Sequence, residues 1–317
     1  MKIVILDGHA VNPGDLSWDC FTRFGEVEVF EHTDPAQAAQ RIGDAEIVLT
    51  NKTPITEQLL NACSSVRLIC VLATGYNVVD CEAARRRGIP VCNVPTYGTN
   101  AVAQFTFSLL LEICNRVGLH DKAVHAGDWT ASPYFCFWNT SQIELAGKTL
   151  GIIGFGRIGR AVGKIAKAMG MQVLAYNRSR CSEGEEIGEY VELDTLLQRS
   201  DIISLHCPLT PENTGLINAK TITKMKDGAI LLNTARGGLL NEKDVADALR
   251  SGKLQYAAVD VVSQEPILAT NPLLSAPNCI ITPHMAWAPI EARQRILDCT
   301  VASIQGFLSG APVNTVN

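Results

Sequence analysis

A glycine-rich turn near the middle of the chain constrains the fold more than any other feature. The apolar residues 149–153 lead into Gly154-Phe155-Gly156-Arg157-Ile158-Gly159, which has the pattern Gly-x-Gly-x-x-Gly. Between a strand and a helix, the first glycine permits a sharp turn and the second lets a pyrophosphate approach the backbone. The third lets the helix pack against the strand. The helix N-terminus carries partial positive charge, so we predict a dinucleotide site at Gly154, Gly156 and Gly159.

About 150 residues precede this turn, so we expect a separate folded unit before it. Short apolar runs at residues 3–6, 47–50, 68–73 and 90–94 predict strands, and helical patterns occupy 56–62 and 81–87. A second series predicts strands at 149–153, 172–175, 202–206, 229–233, 257–261 and 279–282, with helices at 158–168, 194–198 and 242–251. Long helices are predicted from Thr99 and over 290–308. The alternation indicates parallel α/β sheets, and the second series is typical of a doubly wound sheet.

Composition argues against several classes of protein. The net charge is −5 with no long basic run, which disfavours nucleic acid or an anionic membrane as the main partner. The N-terminal apolar run is short for a signal peptide, and the longest uncharged stretch, 88–111, contains prolines and asparagines that make it a poor membrane span. Eleven cysteines without a Cys-x-x-Cys pair predict reduced, buried thiols in a cytoplasmic protein, and no metal site is predicted.

The residue after the second strand of the dinucleotide unit leaves the cofactor open. Asn177 lies 18 residues after Gly159, where an acidic residue usually binds the adenosine ribose hydroxyls. Asparagine can bond a hydroxyl but does not repel a phosphate, and Arg178 and Arg180 follow it. An arginine there can pair with a 2′-phosphate, which favours NADP. The alternative is a solvated basic loop with NAD as the cofactor.

Three charged residues follow three later strands. Arg236 follows the strand 229–233, Glu265 lies just past 257–261, and His284 ends the last strand. Ligands of parallel sheets bind beyond the carboxyl ends of the strands, which puts all three at the edge of the glycine turn. Arg236 offers a bidentate donor for a substrate carboxylate. His284 can protonate a ketone oxygen as hydride arrives from a nicotinamide, and Glu265 would favour its imidazolium form and fix the ring.

Five motifs together resemble the D-2-hydroxyacid dehydrogenase family, which includes glycerate dehydrogenase/hydroxypyruvate reductase and D-lactate, formate and phosphoglycerate dehydrogenases. The similarity runs almost end to end. The motifs are Gly154-Phe155-Gly156-Arg157-Ile158-Gly159, His206-Cys207-Pro208-Leu209-Thr210, Asn233-Thr234-Ala235-Arg236-Gly237-Gly238, Asp260-Val261 with Glu265-Pro266, and Pro283-His284.

This resemblance implies roles for individual residues. Arg236, Glu265 and His284 would be catalytic. Ala73-Thr74-Gly75-Tyr76-Asn77 resembles a loop whose N–H groups hold the substrate carboxylate, and Asp260 would meet the nicotinamide carboxamide. The implied substrate contacts are Lys52, Thr74, Gly75, Arg236 and His284. The implied cofactor contacts are Thr74, Gly154, Gly156, Arg157, Ile158, Gly159, Asn177, Arg178, Cys207, Pro208, Thr234, Ala235, Arg236, Asp260 and His284.

The resemblance also implies an architecture. A flavodoxin-like substrate domain, residues 1–98 with 286–317, would be joined by crossover helices to a Rossmann dinucleotide-binding domain, residues 99–285. The substrate would bind between them, and closure would exclude water. Members commonly dimerise through the cofactor domain, and the aromatic loop from Trp129 to Trp138 is a candidate contact for a homodimer. Packing of that loop within the chain is the alternative.

The substrate is less constrained than the chemistry. Residues 51–56 and 284–288 resemble the glycerate dehydrogenase/hydroxypyruvate reductase branch, so we expect reduction of hydroxypyruvate or glyoxylate to D-glycerate or glycolate. Lys52 could reach the substrate, or it could be an ordinary surface lysine. The alternatives are a dehydrogenase for another short 2-keto acid, or a dinucleotide-sensing binding protein on the same fold.

Overall fold

The chain forms two compact units, which are described here from a computed structural model covering all 317 residues. One unit comprises Met1–Gly98 and Trp287–Asn317, and the other comprises Thr99–Ala286. None of the helices is long and apolar enough to span a membrane.

Strands and helices alternate through both units. The strands are β1 (Lys2–Ile5), β2 (Glu26–Val29), β3 (Ile47–Thr50), β4 (Leu68–Val71), β5 (Val91–Cys92), β6 (Thr149–Ile153), β7 (Gln172–Tyr176), β8 (Glu189–Tyr190), β9 (Ile202–Leu205), β10 (Ala229–Asn233), β11 (Leu254–Val259) and β12 (Cys279–Ile281). The helices are α1 (Ala38–Ile42), α2 (Glu57–Ala62), α3 (Cys81–Arg86), α4 (Thr99–Asn115), α5 (Val117–His125), α6 (Asp128–Ala131), α7 (Arg157–Ala168), α8 (Ser182–Ile187), α9 (Leu193–Arg199), α10 (Ala219–Ile222), α11 (Glu242–Ser251) and α12 (Ile290–Leu308).

The first sheet is parallel, with strand order β2-β1-β3-β4-β5. This is the flavodoxin-like order. The interior strands β3 and β4 are buried along their whole length, as expected for a parallel sheet covered on both faces. One face packs against α1, α2 and α3, and α12 supplies Ile296, Leu297 and Ile304 to the other face.

The second sheet has seven parallel strands in the order β12-β11-β10-β9-β6-β7-β8. The chain winds outward from β6 in one direction and then from β9 in the other, which is the Rossmann doubly wound pattern. Helices α4 and α7 cover one face, and α9, α10 and α11 cover the other. The predicted α/β class with a flavodoxin-like and a Rossmann sheet is therefore confirmed.

The strand order fixes where a ligand can bind in the second unit. Winding reverses between β6 and β9, and a crevice opens at such a switch point beyond the carboxyl ends of the strands. The loops that follow β6, β7, β9, β10, β11 and β12 all begin at this edge. These loops, together with the first turn of α7, carry every site residue predicted for this unit.

Candidate active site

The glycine turn joins β6 to α7, and its geometry shows why each glycine is needed. Gly154 has φ +94°, and a Cβ added there would lie 2.3 Å from the Cys207 nitrogen. A Cβ on Gly159 would lie 2.2 Å from the Gly154 oxygen. Both positions therefore exclude larger residues for reasons of folding.

Gly156 differs from the other two glycines. A Cβ built on it meets no atom within 4 Å, so open space lies in front of the α7 N-terminus. The N–H groups of Gly156 and Ile158 donate to no acceptor in the protein. Open space beside N–H donors at the positive end of a twelve-residue helix suits an anionic pyrophosphate. The turn thus fits a dinucleotide.

Asn177 ties the glycine turn to the loop after β7. Its Oδ1 accepts from the Phe155 N–H at 3.1 Å, and its Nδ2 donates to the Ser179 oxygen at 2.8 Å. Arg180 lies over the Tyr190 ring at 5.7 Å. Arg178 is exposed and forms no salt bridge, which leaves its guanidinium available to an anion.

The loop after β9 borders the glycine turn. The Asn213 amide donates to the Pro208 oxygen at 2.8 Å and lies 3.9 Å from the Cys207 Sγ, which holds these two predicted cofactor residues in place. Burial raises the pKa of the Cys207 thiol, although the Arg178 charge opposes that shift. Cys207 is therefore a neutral contact surface at this edge.

His206, just before that loop, had no role assigned from the sequence. Its Nε2 lies 2.7 Å from the Ser204 hydroxyl, and its Nδ1 is buried without a hydrogen-bond partner. Burial lowers the pKa of the ring to about 3, although part of the residue reaches the surface. His206 is consequently a neutral imidazole at neutral pH.

Arg236 follows β10 on a turn held by Asn233. The Asn233 amide accepts from the Ala235 N–H at 3.0 Å and donates to the Arg236 oxygen at 2.9 Å. Thr234, on the same turn, shares a buried hydrogen bond of 3.0 Å with Thr106 of α4, a residue that the sequence did not single out. This turn presents Arg236 at the edge beside the loop after β11, because Gly237 packs directly on the Val262 backbone.

His284 and Glu265 form a close pair at the same edge. His284 Nδ1 lies 2.7 Å from a Glu265 carboxylate oxygen, and both side chains are partly exposed. His284 has φ +52°, a left-handed conformation that is uncommon for histidine and that the surrounding structure must enforce. The backbone N–H of His284 donates to the backbone carbonyl oxygen of Asp260 at 2.8 Å.

Asp260 enforces this conformation and is 1% exposed. Its carboxylate accepts from the Thr282 hydroxyl at 2.6 Å, the Met285 N–H at 2.9 Å and the Ala286 N–H at 2.8 Å. Three protein donors therefore occupy most of the carboxylate, which points into the histidine loop. The sequence suggested a cofactor contact for Asp260, but it did not reveal this anchoring of the loop.

In the first unit, Thr74 and Gly75 lie on the loop after β4. Thr74 is fixed through its hydroxyl, which donates to the Val94 oxygen at 2.7 Å, and through its oxygen, which accepts from the Asn93 amide at 2.8 Å. The backbone N–H groups of residues 74–77 donate to no protein acceptor, and all four residues are exposed. Successive unpaired N–H groups form an anion-binding surface suited to a carboxylate.

Lys52 lies on the neighbouring loop after β3. The Asp7 carboxylate, which is buried, accepts from the backbone N–H groups of Asn51 and Thr53, both at 2.7 Å, and from that of Lys52. The Lys52 side chain is exposed. Asp7 was not predicted, because it lies 44 residues before its first partner in the chain.

The predicted site residues thus fall into two groups, each at the carboxyl edge of one sheet. In the second unit the edge brings together Gly154, Gly156, Arg157, Ile158, Gly159, Asn177, Arg178, Cys207, Pro208, Thr234, Ala235, Arg236, Asp260, Glu265 and His284. Lys52, Thr74 and Gly75 lie together at the edge of the first sheet.

Comparison with known proteins connects this arrangement to a family. Residues 107–286 match the model of the D-isomer specific 2-hydroxyacid dehydrogenase NAD binding domain. A hydroxypyruvate reductase from Blautia hydrogenotrophica is 54% identical over the full length of both chains. A glycerate dehydrogenase from Methylorubrum extorquens is 39% identical over 99% of this chain and 98% of that protein.

A solved structure extends the similarity to three dimensions. An acyclic imino acid reductase in complex with NADPH and D-Arg matches all of both chains with a TM-score of 0.84 and 27% identity. The matched domain model and this neighbour both support a nicotinamide dinucleotide as the cofactor. The chain belongs to the D-isomer specific 2-hydroxyacid dehydrogenase family.

Proposed function

We propose that this protein is an NAD(P)H-dependent D-2-hydroxyacid dehydrogenase that reduces hydroxypyruvate or glyoxylate to D-glycerate or glycolate. The observation that carries the proposal is the 2.7 Å His284–Glu265 pair at the sheet edge that also holds the glycine turn and Arg236. Reduction of a carbonyl needs a hydride from a dinucleotide and a proton from a general acid, and a histidine–carboxylate pair beside a dinucleotide site can provide the proton. Relatives named hydroxypyruvate reductase and glycerate dehydrogenase support the choice of substrate.

The residues at this edge divide the work. The chemistry that a reduced nicotinamide would supply when bound is a hydride for the carbonyl carbon. His284 donates the proton that the carbonyl oxygen requires, and Glu265 orients the ring through its contact with Nδ1. Arg236 pairs with the substrate carboxylate through its planar guanidinium. Asp260 keeps His284 at its strained φ, so the proton donor is already placed before substrate arrives.

The first unit carries further candidate substrate-binding residues. The exposed N–H groups beginning at Thr74 and Gly75 bind the substrate carboxylate. We assign the unit of Met1–Gly98 and Trp287–Asn317, expected from the sequence as residues 1–98 with 286–317, to substrate binding, and the unit of Thr99–Ala286, expected as residues 99–285, to NAD(P) binding. Lys52 contributes a positive charge on the adjacent loop.

NADP is our preferred cofactor. The Asn177 side chain is hydrogen-bonded to Phe155 and Ser179. Because this side chain is neutral, it does not repel a 2′-phosphate. Arg178 forms no salt bridge and can pair with that phosphate. If Asn177 instead forms a hydrogen bond with a hydroxyl of the adenosine ribose, NAD would be the better cofactor.

A homodimer accounts for the aromatic loop between Trp129 and Trp138. Phe135 is 90% exposed, and Trp129, Tyr134 and Trp138 are also largely exposed. A cluster of four such side chains is more than a monomer usually leaves in water, which favours contact with a second copy over packing within the chain. A second copy would bury it on both sides of a two-fold axis.

The cytoplasm is the compartment we propose. All eleven cysteines are free thiols, and several are buried in the two cores. Free thiols persist in reducing compartments, whereas secreted proteins commonly pair them.

A substrate panel tests the proposed function. Nicotinamide absorbance is followed with hydroxypyruvate, glyoxylate, pyruvate and other short 2-keto acids, each with NADH and with NADPH. Turnover of hydroxypyruvate or glyoxylate that is lost in His284→Ala supports the proposal. A preference for a different 2-keto acid would replace the substrate assignment. Tight dinucleotide binding without turnover of any of them would overturn the enzyme proposal in favour of a dinucleotide sensor.

A further inference from the structure

Lys52 carries an ammonium group that no protein group neutralises. It forms no salt bridge or side-chain hydrogen bond, although most lysines of the chain are paired with acidic residues or carbonyl oxygens. A single unpaired surface lysine is ordinary, but Lys52 is distinguished by its position in the fold.

The backbone beneath Lys52 is fixed by a buried carboxylate. Asp7, which is 4% exposed, accepts the N–H groups of residues 51, 52 and 53 and the Thr53 hydroxyl at 3.2 Å. The Thr50 hydroxyl also donates to the Thr53 oxygen at 2.9 Å. A buried carboxylate without a cationic partner costs free energy unless hydrogen-bond donors surround it. Here the donors to Asp7 all come from one short loop. The loop therefore holds the Lys52 Cα in one place.

The same loop is tied to the carboxylate-binding loop. The Asn51 amide donates to the Leu72 oxygen at 2.8 Å, and Thr50 is the register partner of Val71 on the adjacent strand. Neighbouring strands lie about 4.8 Å apart. Lys52 follows Thr50 by two residues and Thr74 follows Val71 by three, so the long lysine side chain can reach past a carboxylate bound at residues 74–77.

We propose that the Lys52 ammonium binds the oxygen on C3 of the substrate, and that Lys52 thereby selects 3-hydroxy-2-keto acids. This inference rests on the proposed function, because it takes the carboxylate to lie on the N–H groups of residues 74–77. Hydroxypyruvate carries such an oxygen, pyruvate has a methyl group at C3, and glyoxylate has no C3. Asp7 is a positioning residue that acts through the loop of Lys52.

Hydroxypyruvate and pyruvate differ only by this hydroxyl, so their ratio of kcat/KM isolates the contact. Lys52→Met keeps the length of the side chain and removes the charge, and Lys220→Met removes another exposed lysine that forms no salt bridge, far along the chain. We expect Lys52→Met to lower the hydroxypyruvate-to-pyruvate ratio by about tenfold or more, as for loss of a hydrogen bond to a charged group. Lys52→Arg should recover part of the ratio, and Lys220→Met should match the wild type.

Equal losses for hydroxypyruvate and pyruvate in Lys52→Met would overturn the inference, since they would mean attraction of any anionic substrate. A wild-type kcat/KM for both substrates in Lys52→Met would overturn it as well. Failure of the wild-type enzyme to reduce any 2-keto acid would instead refute the proposed function, so the two failures are distinguishable.

Asp7→Asn tests the positioning role. The amide presents a donor toward N–H groups, so the loop should lose its fixed conformation. We expect the same ratio to fall, with no further fall when Lys52→Met is added, because the two residues act through one contact. An equal decrease for both substrates in Asp7→Asn would assign Asp7 a purely structural role and overturn this part of the inference.

Discussion

Replacement of Gly156 by alanine separates folding from cofactor binding more cleanly than any other change at the glycine turn. The added methyl group meets no atom within 4 Å, and the residue precedes α7 at φ −76°, which alanine adopts freely. Alanine is a poorer helix N-cap than glycine, so the free energy of unfolding should fall by no more than about 1 kcal/mol. The fold should therefore survive this substitution.

Cofactor binding should not survive it. The methyl group would occupy the space in which a pyrophosphate approaches the N–H groups of Gly156 and Ile158. Loss of one hydrogen bond to a charged group costs about 2 kcal/mol, which corresponds to about a 30-fold weaker affinity. We expect Gly156→Ala to raise the dinucleotide Kd by at least this factor.

Calorimetric titration with NADH and NADPH measures the affinity, and thermal unfolding without cofactor measures the stability. Gly118→Ala is the matched control, because its added methyl group also meets no atom within 4 Å but lies on α5. Gly159→Ala should instead destabilise the fold, since its methyl group would lie 2.2 Å from a backbone oxygen. Wild-type affinity in Gly156→Ala, or unfolding well below the Gly118→Ala control, would refute the reasoning.

Four further outcomes follow from the described contacts. His284→Ala should abolish most turnover while dinucleotide affinity stays within a few-fold, and Glu265→Gln should lower kcat more than it changes KM; near-normal turnover in stopped-flow assays would remove them from the proposed roles. Arg178→Ala should raise KM for NADPH about tenfold more than for NADH, and equal effects would favour NAD. Phe135→Asp should shift sedimentation toward a monomer, whereas an unchanged profile would place the interface elsewhere. Because the pKa of His206 is about 3 when folded and about 6.5 when unfolded, the unfolded state binds an extra proton between these pH values. Stability should then fall as pH drops below about 6.5, by up to about 1.4 kcal/mol per pH unit, and denaturant titrations of His206→Gln should show a shallower decline.

The sequence predicts the interior of both sheets better than their edges. Interior strands such as β4, and β10 up to its last residue, are continuous apolar runs, which can be recognised in the sequence. The edge strand β2 reads Glu-Val-Glu-Val and is at most partly buried, and β8 has only two residues. The alternation of β2 is a strand pattern that was not among the predicted strands, whereas the two residues of β8 are too few to show any periodicity.

The site shows the same division. Glycines and charged residues at strand ends can be recognised, because topology brings every strand end to one edge. The supports beneath them cannot be recognised, because Asp7 meets its loop across 44 residues and Thr106 meets Thr234 across 128. The direction of the Asp260 carboxylate likewise depends on a left-handed residue downstream, which the residue type alone does not predict.

Asp260 holds the segment after His284 through the N–H groups of Met285 and Ala286, not through their side chains. Every residue except proline carries that N–H. The identity of residue 285, whose side chain is 43% exposed, can therefore change without releasing the histidine. Residue 285 can therefore vary in sequence while the proton donor beside it keeps its place.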